Sequence, residues 1–433
     1  MRHVLVMTGA GAVGLVAIFL VDALSLLYVS RLGDADLTAA VGFATQVMFL
    51  GVGVNIGLSI AVTALVSRAL GAGDRDRARR LAGSGLALAG LFSGLVVVLL
   101  WLARGEILRW LGASGESADV ARGFLGLALP ANLMLGLAMA LMGVLRAHGE
   151  ARRSMYVTLA GAAATAVLDP VLIFGLGLGV DGAAIATLAA RALALAVGWR
   201  FAVGRGHVAA PRLADLGAHF APLAAIAGPA ILTNLASPVA VSWVLAALSA
   251  YGPEAVAAFA IVDRVAALGF AAIFALSGSI GAILGQNLGA RRIGRVGRAM
   301  AICFRLSTGY AVIVAALLWL AAPAIARAFA APPETAALIV AFMPWAGAGW
   351  VFLCWLFVAN ASFNNLGFAL LSTAFNWGRA TLGVMPFVWL GGRYGGAEGA
   401  IAGLAAGSAL FGTAAWAATG LVLRALAKRL RAA

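Results

Sequence analysis

Long apolar runs follow one another from Val4 to Leu423, each close to the ~20 residues that carry a helix across a bilayer's hydrocarbon core. A chain of 433 residues that is 63% hydrophobic and 11% charged is no ordinary globular domain, since those carry about 25% charged residues. The sequence therefore specifies an all-α integral membrane protein. Loop chemistry places the spans at Val4–Ser30, Leu37–Val66, Ser84–Ala103, Phe124–Leu145, Ser154–Gly175 and Gly182–Val203 in the first half. In the second half they fall at Pro222–Ala250, Ala255–Leu284, Ala299–Ala322, Ala336–Ala359, Phe368–Leu390 and Gly399–Leu423. The first apolar stretch shows no signal cleavage site and is read as a retained span.

The two halves repeat each other. Leu99-Leu100-Trp101-Leu102-Ala103 returns about 218 residues later as Leu317-Leu318-Trp319-Leu320-Ala321, and Ala184-Ile185-Ala186 returns as Ala400-Ile401-Ala402. Six spans per half is an even number, so both halves enter the membrane in one sense, and a pseudo-two-fold axis along the membrane normal is expected. The expected domains are an N-lobe at 1–203, a linker at 204–220 and a C-lobe at 221–433. Residues present in both halves build the frame. A residue that only one half carries is a candidate for function.

Charge sets topology rather than nucleic-acid binding. Of 30 basic residues, 29 are Arg and one is Lys428, for a formal net charge of +14. Twenty fall in alternate loops and the termini, including Arg75, Arg77, Arg79 and Arg80, then Arg152 and Arg153, then Arg291, Arg292, Arg295 and Arg298; the intervening loops hold six. This is the positive-inside pattern, and it puts both termini in the cytoplasm of a cell whose inner membrane the chain crosses. Cys303 and Cys354 both lie in apolar spans and build no disulfide or metal framework. His3, His148, His207 and His219 are scattered, so no metal site is expected.

Three acidic residues lie within spans: Asp22, Asp169 and Asp263. A carboxylate near the bilayer centre costs about 2.5–3.5 kcal/mol on insertion scales, so each is paired, at an edge, or used. Asp169 is the strongest candidate. It precedes Pro170, whose missing amide donor weakens the helix and frees a carbonyl, and its repeat position is Met385. Such a carboxylate can carry a proton or help hold a small cation. Asp22 lies at similar depth, with Ser25 on the same helical face. Arg191 shares a face with Thr187 and can hold Asp169 as an ion pair. Arg379 is a second base within a span. Asn234, Ser237, Trp243 and Asp263 are candidates to line a substrate cavity, with lipid or helix packing as the plainer role for Trp243.

The chain resembles the multidrug and toxic compound extrusion (MATE) family. The resemblance rests on Arg31-Leu32-Gly33-Asp34, Leu65-Val66-Ser67-Arg68-Ala69-Leu70-Gly71-Ala72-Gly73-Asp74, Leu145-Arg146-Ala147-His148-Gly149, Leu168-Asp169-Pro170 and Gln286-Asn287-Leu288-Gly289-Ala290, taken in order. It implies two six-helix lobes that export amphipathic, often cationic compounds in exchange for protons or sodium. It also implies a coupling site on helices one, five and six, to which Asp169 and Thr187 correspond. Two positions depart from the family pattern. Ser25 stands where the first-helix Asp is usual, with Asp22 one turn earlier, and Thr165 stands where an Asn is usual. These changes favour protons over sodium.

The leading reading is thus a monomeric secondary antiporter for small organic molecules, without catalytic residues, cofactor or nucleic-acid partner. A flippase for lipid-linked saccharides, from a related superfamily, is the alternative, kept by the buried bases Arg191 and Arg379. A membrane-embedded enzyme has no nucleophile motif or His/Asp/Glu cluster at a membrane face.

Overall fold

The computed structural model describes residues 2–30 and 35–432; for 2–6, 19, 22, 23, 26, 27, 30, 35, 36, 38, 39 and 430–432 it describes the backbone only. Among the described residues every regular element is helical. The first half contains α1 (Arg2–Ser30), α2 (Ala35–Gly71), α3 (Arg75–Trp110), α4 (Gly115–Ala128), α5 (Pro130–Ala147), α6 (Ala151–Pro170) and α7 (Gly179–Ala202). The second contains α8 (Leu213–Leu248), α9 (Pro253–Gly269), α10 (Ala271–Gly289), α11 (Ile293–Ala328), α12 (Pro333–Leu366), α13 (Ala369–Gly378) and α14 (Met385–Ala432).

These elements make twelve membrane passes, because several meet end to end. Leu129 keeps helical dihedrals between α4 and α5, Phe270 joins α9 to α10, and a π-helical turn at Val171–Gly175 extends α6. Another π turn, Arg379–Gly383, carries α13 into α14, which itself bends at Gly395 and Gly396 into two arms. The repeat is visible in the bounds. The helices α3 and α11 each run 36 residues, start for start and end for end at the repeat distance. Their repeated Leu99, Trp101 and Leu102, and Leu317, Trp319 and Leu320, all face outward as large exposed apolar side chains. In water such a surface would aggregate; here it is the part that lipid covers.

Local chemistry fixes the helix ends. The Asp74 carboxylate accepts from the Arg77 amide at 2.8 Å and caps α3. Pro130, Pro253 and Pro333 open α5, α9 and α12, where their missing N–H costs nothing. Gly367, at φ 91°, closes α12 in the left-handed region.

The chain forms two compact units, residues 13–231 and residues 1–12 with 232–433. In the first, α2 packs chiefly on α5 and α3, and α7 on α6 and α5. In the second, α12 is central, packed on α11, α14, α10 and α9. The approach of α2 to α5 requires glycine. A Cβ at Gly136 would stand 2.4 Å from Ser93 Oγ and 2.5 Å from Asn55 Oδ1, and one at Gly143 would stand 2.6 Å from Thr63 Oγ1.

Candidate functional site

Asp169 ends the regular part of α6 and is 1% exposed. Pro170 follows without an amide hydrogen, so the Ala166 carbonyl loses its helical donor, and the chain then widens into the Val171–Gly175 π turn. The structure thus pairs a buried carboxylate with a locally loosened helix. From α1, the Ser25 hydroxyl donates a short hydrogen bond to Asp169 Oδ2. Asp22 belongs to the same helix, but its side chain lies outside the described residues.

The threonines serve their own helices. Thr165 Oγ1 donates to the Gly161 carbonyl at 3.1 Å, and Thr187 Oγ1 to the Ala183 carbonyl at 3.0 Å. Their hydroxyl protons are spent on backbone, leaving only lone pairs to offer a cation. Arg191, half-buried on α7, donates from Nη1 to Asn132 Oδ1 at 2.9 Å.

Asn132 opens a polar seam that the sequence reading missed. Its Nδ2 donates to the Met48 carbonyl at 3.0 Å, and its own carbonyl accepts from Asn55 Nδ2 at 2.9 Å. Ser93 Oγ donates to Asn55 Oδ1 at 2.6 Å. One turn along α2, Ser59 donates to the Met139 carbonyl and accepts from Arg146, with Thr63 below it. The signal was present: Asn55, Ser59, Thr63 and Ser67 recur every fourth residue on one face of an otherwise apolar helix. All four are buried, so this seam ties α2, α3, α5 and α7 together.

In the second unit, Asn234 is half-buried, Ser237 and Trp243 are exposed on α8, and Asp263 is half-buried on α9. No ion pair reaches Asp263 among the described residues. A second polar group gathers elsewhere in this unit. Thr233 bonds Ser372 at 3.2 Å, Ser372 donates to Asn364 Oδ1 at 2.9 Å, and Asn376 Nδ2 donates to Asn360 Oδ1 at 2.9 Å. Arg379 lies one turn beyond Asn376 and is 6% exposed.

Where α5 ends, the His148 and His207 rings stack at 3.8 Å. Glu150 beside them meets Arg153 at 2.7 Å, Arg205 at 3.5 Å and His207 at 3.4 Å. Burial pushes the Glu150 carboxyl up, but hydrogen bonds from Arg153 and His207 outweigh it and hold it below the ordinary range. Burial lowers His148, and the charges of His207 and Arg75 oppose its protonation further, against support from the Val144 carbonyl and Glu150. Among the described residues, no group of three or more His, Cys, Asp or Glu is placed to hold a metal ion.

The MatE family model matches residues 12–171 and 229–390, once in each half. The FAD transporter of Shewanella oneidensis is 25% identical over 422 residues, covering 96% of this chain and 93% of that one. A probable multidrug resistance protein NorM of Deinococcus radiodurans is 30% identical over 315 residues, 70% of this chain and 68% of its own. The crystal structure of the Vibrio cholerae MATE transporter VcmN in the bent form superposes with a TM-score of 0.93 at 25% identity, covering 98% of this chain and 97% of that one. With the twelve passes and the twofold family match, the chain belongs to the MatE family of multidrug and toxic compound efflux transporters, proteins that move small molecules across membranes and are not enzymes.

Proposed function

We propose that this protein is a proton-coupled antiporter that exports amphipathic small molecules, cations among them, by alternating access of lobes at 1–203 and 221–433. The observation that carries the reading is Asp169: a fully buried carboxylate, hydrogen-bonded by Ser25, at the point where Pro170 and a π turn loosen α6. A charge held there in apolar surroundings is costly, and neutralising it removes the cost. Proton uptake by Asp169, together with Asp22, changes what the Ser25 hydroxyl faces and lets the weakened end of α6 repack. Closing the N-lobe in this way expels the cargo. One proton moving inward across 100 mV supplies about 2.3 kcal/mol, before any pH gradient.

Protons are favoured over sodium because Ser25 and Thr165 stand where the family usually carries Asp and Asn, which leaves a metal cation fewer strong oxygen ligands. Arg191 takes part by holding the α7 side of the seam through Asn132. Asn234, Ser237, Trp243 and Asp263 are assigned to contact cargo. The protein works as a monomer in the inner membrane with both termini in the cytoplasm, as the Arg-rich loops favour. Among relatives, the probable NorM protein is named for multidrug resistance and the Shewanella protein for FAD transport.

The test is reconstitution in liposomes under imposed pH or sodium gradients, with wild type, Asp169→Asn and Asp22→Asn side by side. The reading expects ethidium efflux that follows the pH gradient and is lost in Asp169→Asn. Efflux indifferent to both gradients and both substitutions would end it.

A further inference from the structure

Arg379 presents a charge imbalance that the coupling reading does not use. It begins the π turn Arg379–Gly383 within the eleventh pass and is 94% buried by the complement of its 6% exposure. Among the described residues, no carboxylate lies within ion-pair distance of it, and no hydrogen bond engages its guanidinium. Its Nε is fully enclosed and has no partner. An arginine cannot shed its charge, and an uncompensated buried cation is among the most costly groups a protein can hold.

The surroundings are built for polarity but carry no counter-charge. Ser372, Asn376 and Arg379 are all buried on α13 and the π turn that continues it, at offsets that place them on one face. Asn360 and Asn364 from α12 and Thr233 from α8 complete the cluster through the hydrogen bonds given above. Every one of these partners is an amide or a hydroxyl. The repeat sharpens the point, because the positions corresponding to Arg379 in the first half fall at Gly161 or Ala163. The base is therefore no part of the duplicated frame. A π turn is also a frequent mark of functional positions, since it breaks regular helix packing to re-aim side chains.

We propose that Arg379 is an oxyanion-recognition group in the C-terminal half, binding a phosphate or carboxylate carried by the transported compound. The guanidinium supplies two parallel N–H donors to the oxyanion, and the neighbouring amides and hydroxyls hold its remaining oxygens. The inference rests on the exporter reading and deepens it by adding a cargo class: amphipathic molecules with an anionic substituent.

The experiment uses two fluorescent probes that share a ring system and differ by one phosphate, flavin mononucleotide and riboflavin. Binding to the purified full-length protein in nanodiscs is read by fluorescence quenching, with no gradient present. Wild type should bind the phosphorylated probe at least about tenfold more tightly, a ratio well within what one charge-assisted pair supplies. Arg379→Gln should erase that preference while leaving riboflavin binding unchanged, and Arg379→Lys should keep part of it. Should Arg379→Gln fail to fold, Asn376→Ala is expected to shrink the preference several-fold. No preference in wild type, or an undiminished preference in Arg379→Gln, overturns the proposal. Displacement of the flavin phosphate by an equal concentration of inorganic phosphate would assign the site to a free anion and overturn it also. Because the assay needs no gradient, the exporter reading can fail in liposomes while this binding result stands, and the reverse.

Discussion

The two halves share a helix plan and differ in what they bury. Where the first half places Asp169 before a proline, the second places Met385 before Pro386; where the second places Arg379, the first has glycine or alanine. The first half thus buries an acid that accepts from a hydroxyl, and the second buries a base whose Nε has no hydrogen-bond partner among the described residues. The seams are inverted too. In the first half Asn55 and Thr63 of α2 point at Gly136 and Gly143 of α5; in the second, Gly281 of α10 makes room for Asn365 of α12, whose Nδ2 would stand 2.5 Å from an added Cβ. Duplication conserves the outline of a helical bundle. Polar groups inside it are free to diverge, provided each new side chain finds a small residue opposite.

Breaking this comparison at its strongest point means removing the acid. Asp169→Asn keeps the shape and the Ser25 contact but cannot exchange a proton, and pH-driven dye efflux should fall by about 5–150-fold, the span of a coupling free energy of ~1–3 kcal/mol. Liposome efflux at fixed membrane potential measures it. The reciprocal change, Met385→Asp, tests whether position alone confers coupling. It should cost about 2.5–3.5 kcal/mol of insertion or folding stability, because no hydroxyl partner has been provided, and it should add no new gradient dependence. Yield of folded protein and the efflux assay report the two parts separately.

The inverted seams predict an asymmetry between equivalent sites. Gly136→Ala forces a methyl against Asn55 and Ser93 and should lower stability by about 1–3 kcal/mol. The repeat equivalent, Cys354, is fully buried in apolar surroundings, and Cys354→Ala should cost only about 1 kcal/mol. Thermal unfolding in detergent compares them. The smallest effect concerns the loops after α5 and α12. His148-Gly149-Glu150 corresponds to Leu366-Gly367-Phe368, so only the first half titrates there. His148 is held below its ordinary 6.5 in the folded state, so the unfolded chain binds more protons as pH falls through that value. Stability should therefore decline on going from about pH 7.5 to 5.5, and the slope of Tm against pH should be shallower in His148→Asn.

Much of this was legible before any coordinates. The repeat distance located α3 and α11 correctly relative to each other, because apolar runs and loop residues recur together. Their expected spans, Ser84–Ala103 and Ala299–Ala322, were too short: Arg75–Gly83 and Ile293–Arg298 continue the helices past the apolar run that defined them. The weak point at Pro170 was legible from proline's missing donor. The π turns were not, since hydrogen-bond register leaves no mark on composition. Nor were the junctions at Leu129 and Phe270, although Pro130 and Gly269 adjoin them, because apolar residues continue on both sides. Of the site, Asp169 stood out because its repeat partner is apolar, and Ser25 because it takes the position a carboxylate would occupy. The isolation of Arg379 could not be read from sequence. Whether a buried base has a partner depends on which helices meet, and Asn360, Asn364 and Ser372 are polar without being charged, so nothing in the sequence ties them to it.

The central claim is that Asp169 gives up a proton when cargo binds and takes one when cargo leaves. The direct measurement is proton release on binding: purified protein in weakly buffered detergent, a pH-indicator dye, and a pulse of ethidium. Wild type should release protons in proportion to cargo bound, and Asp169→Asn should bind cargo with that release diminished or gone. Equal proton release from both proteins would contradict the account.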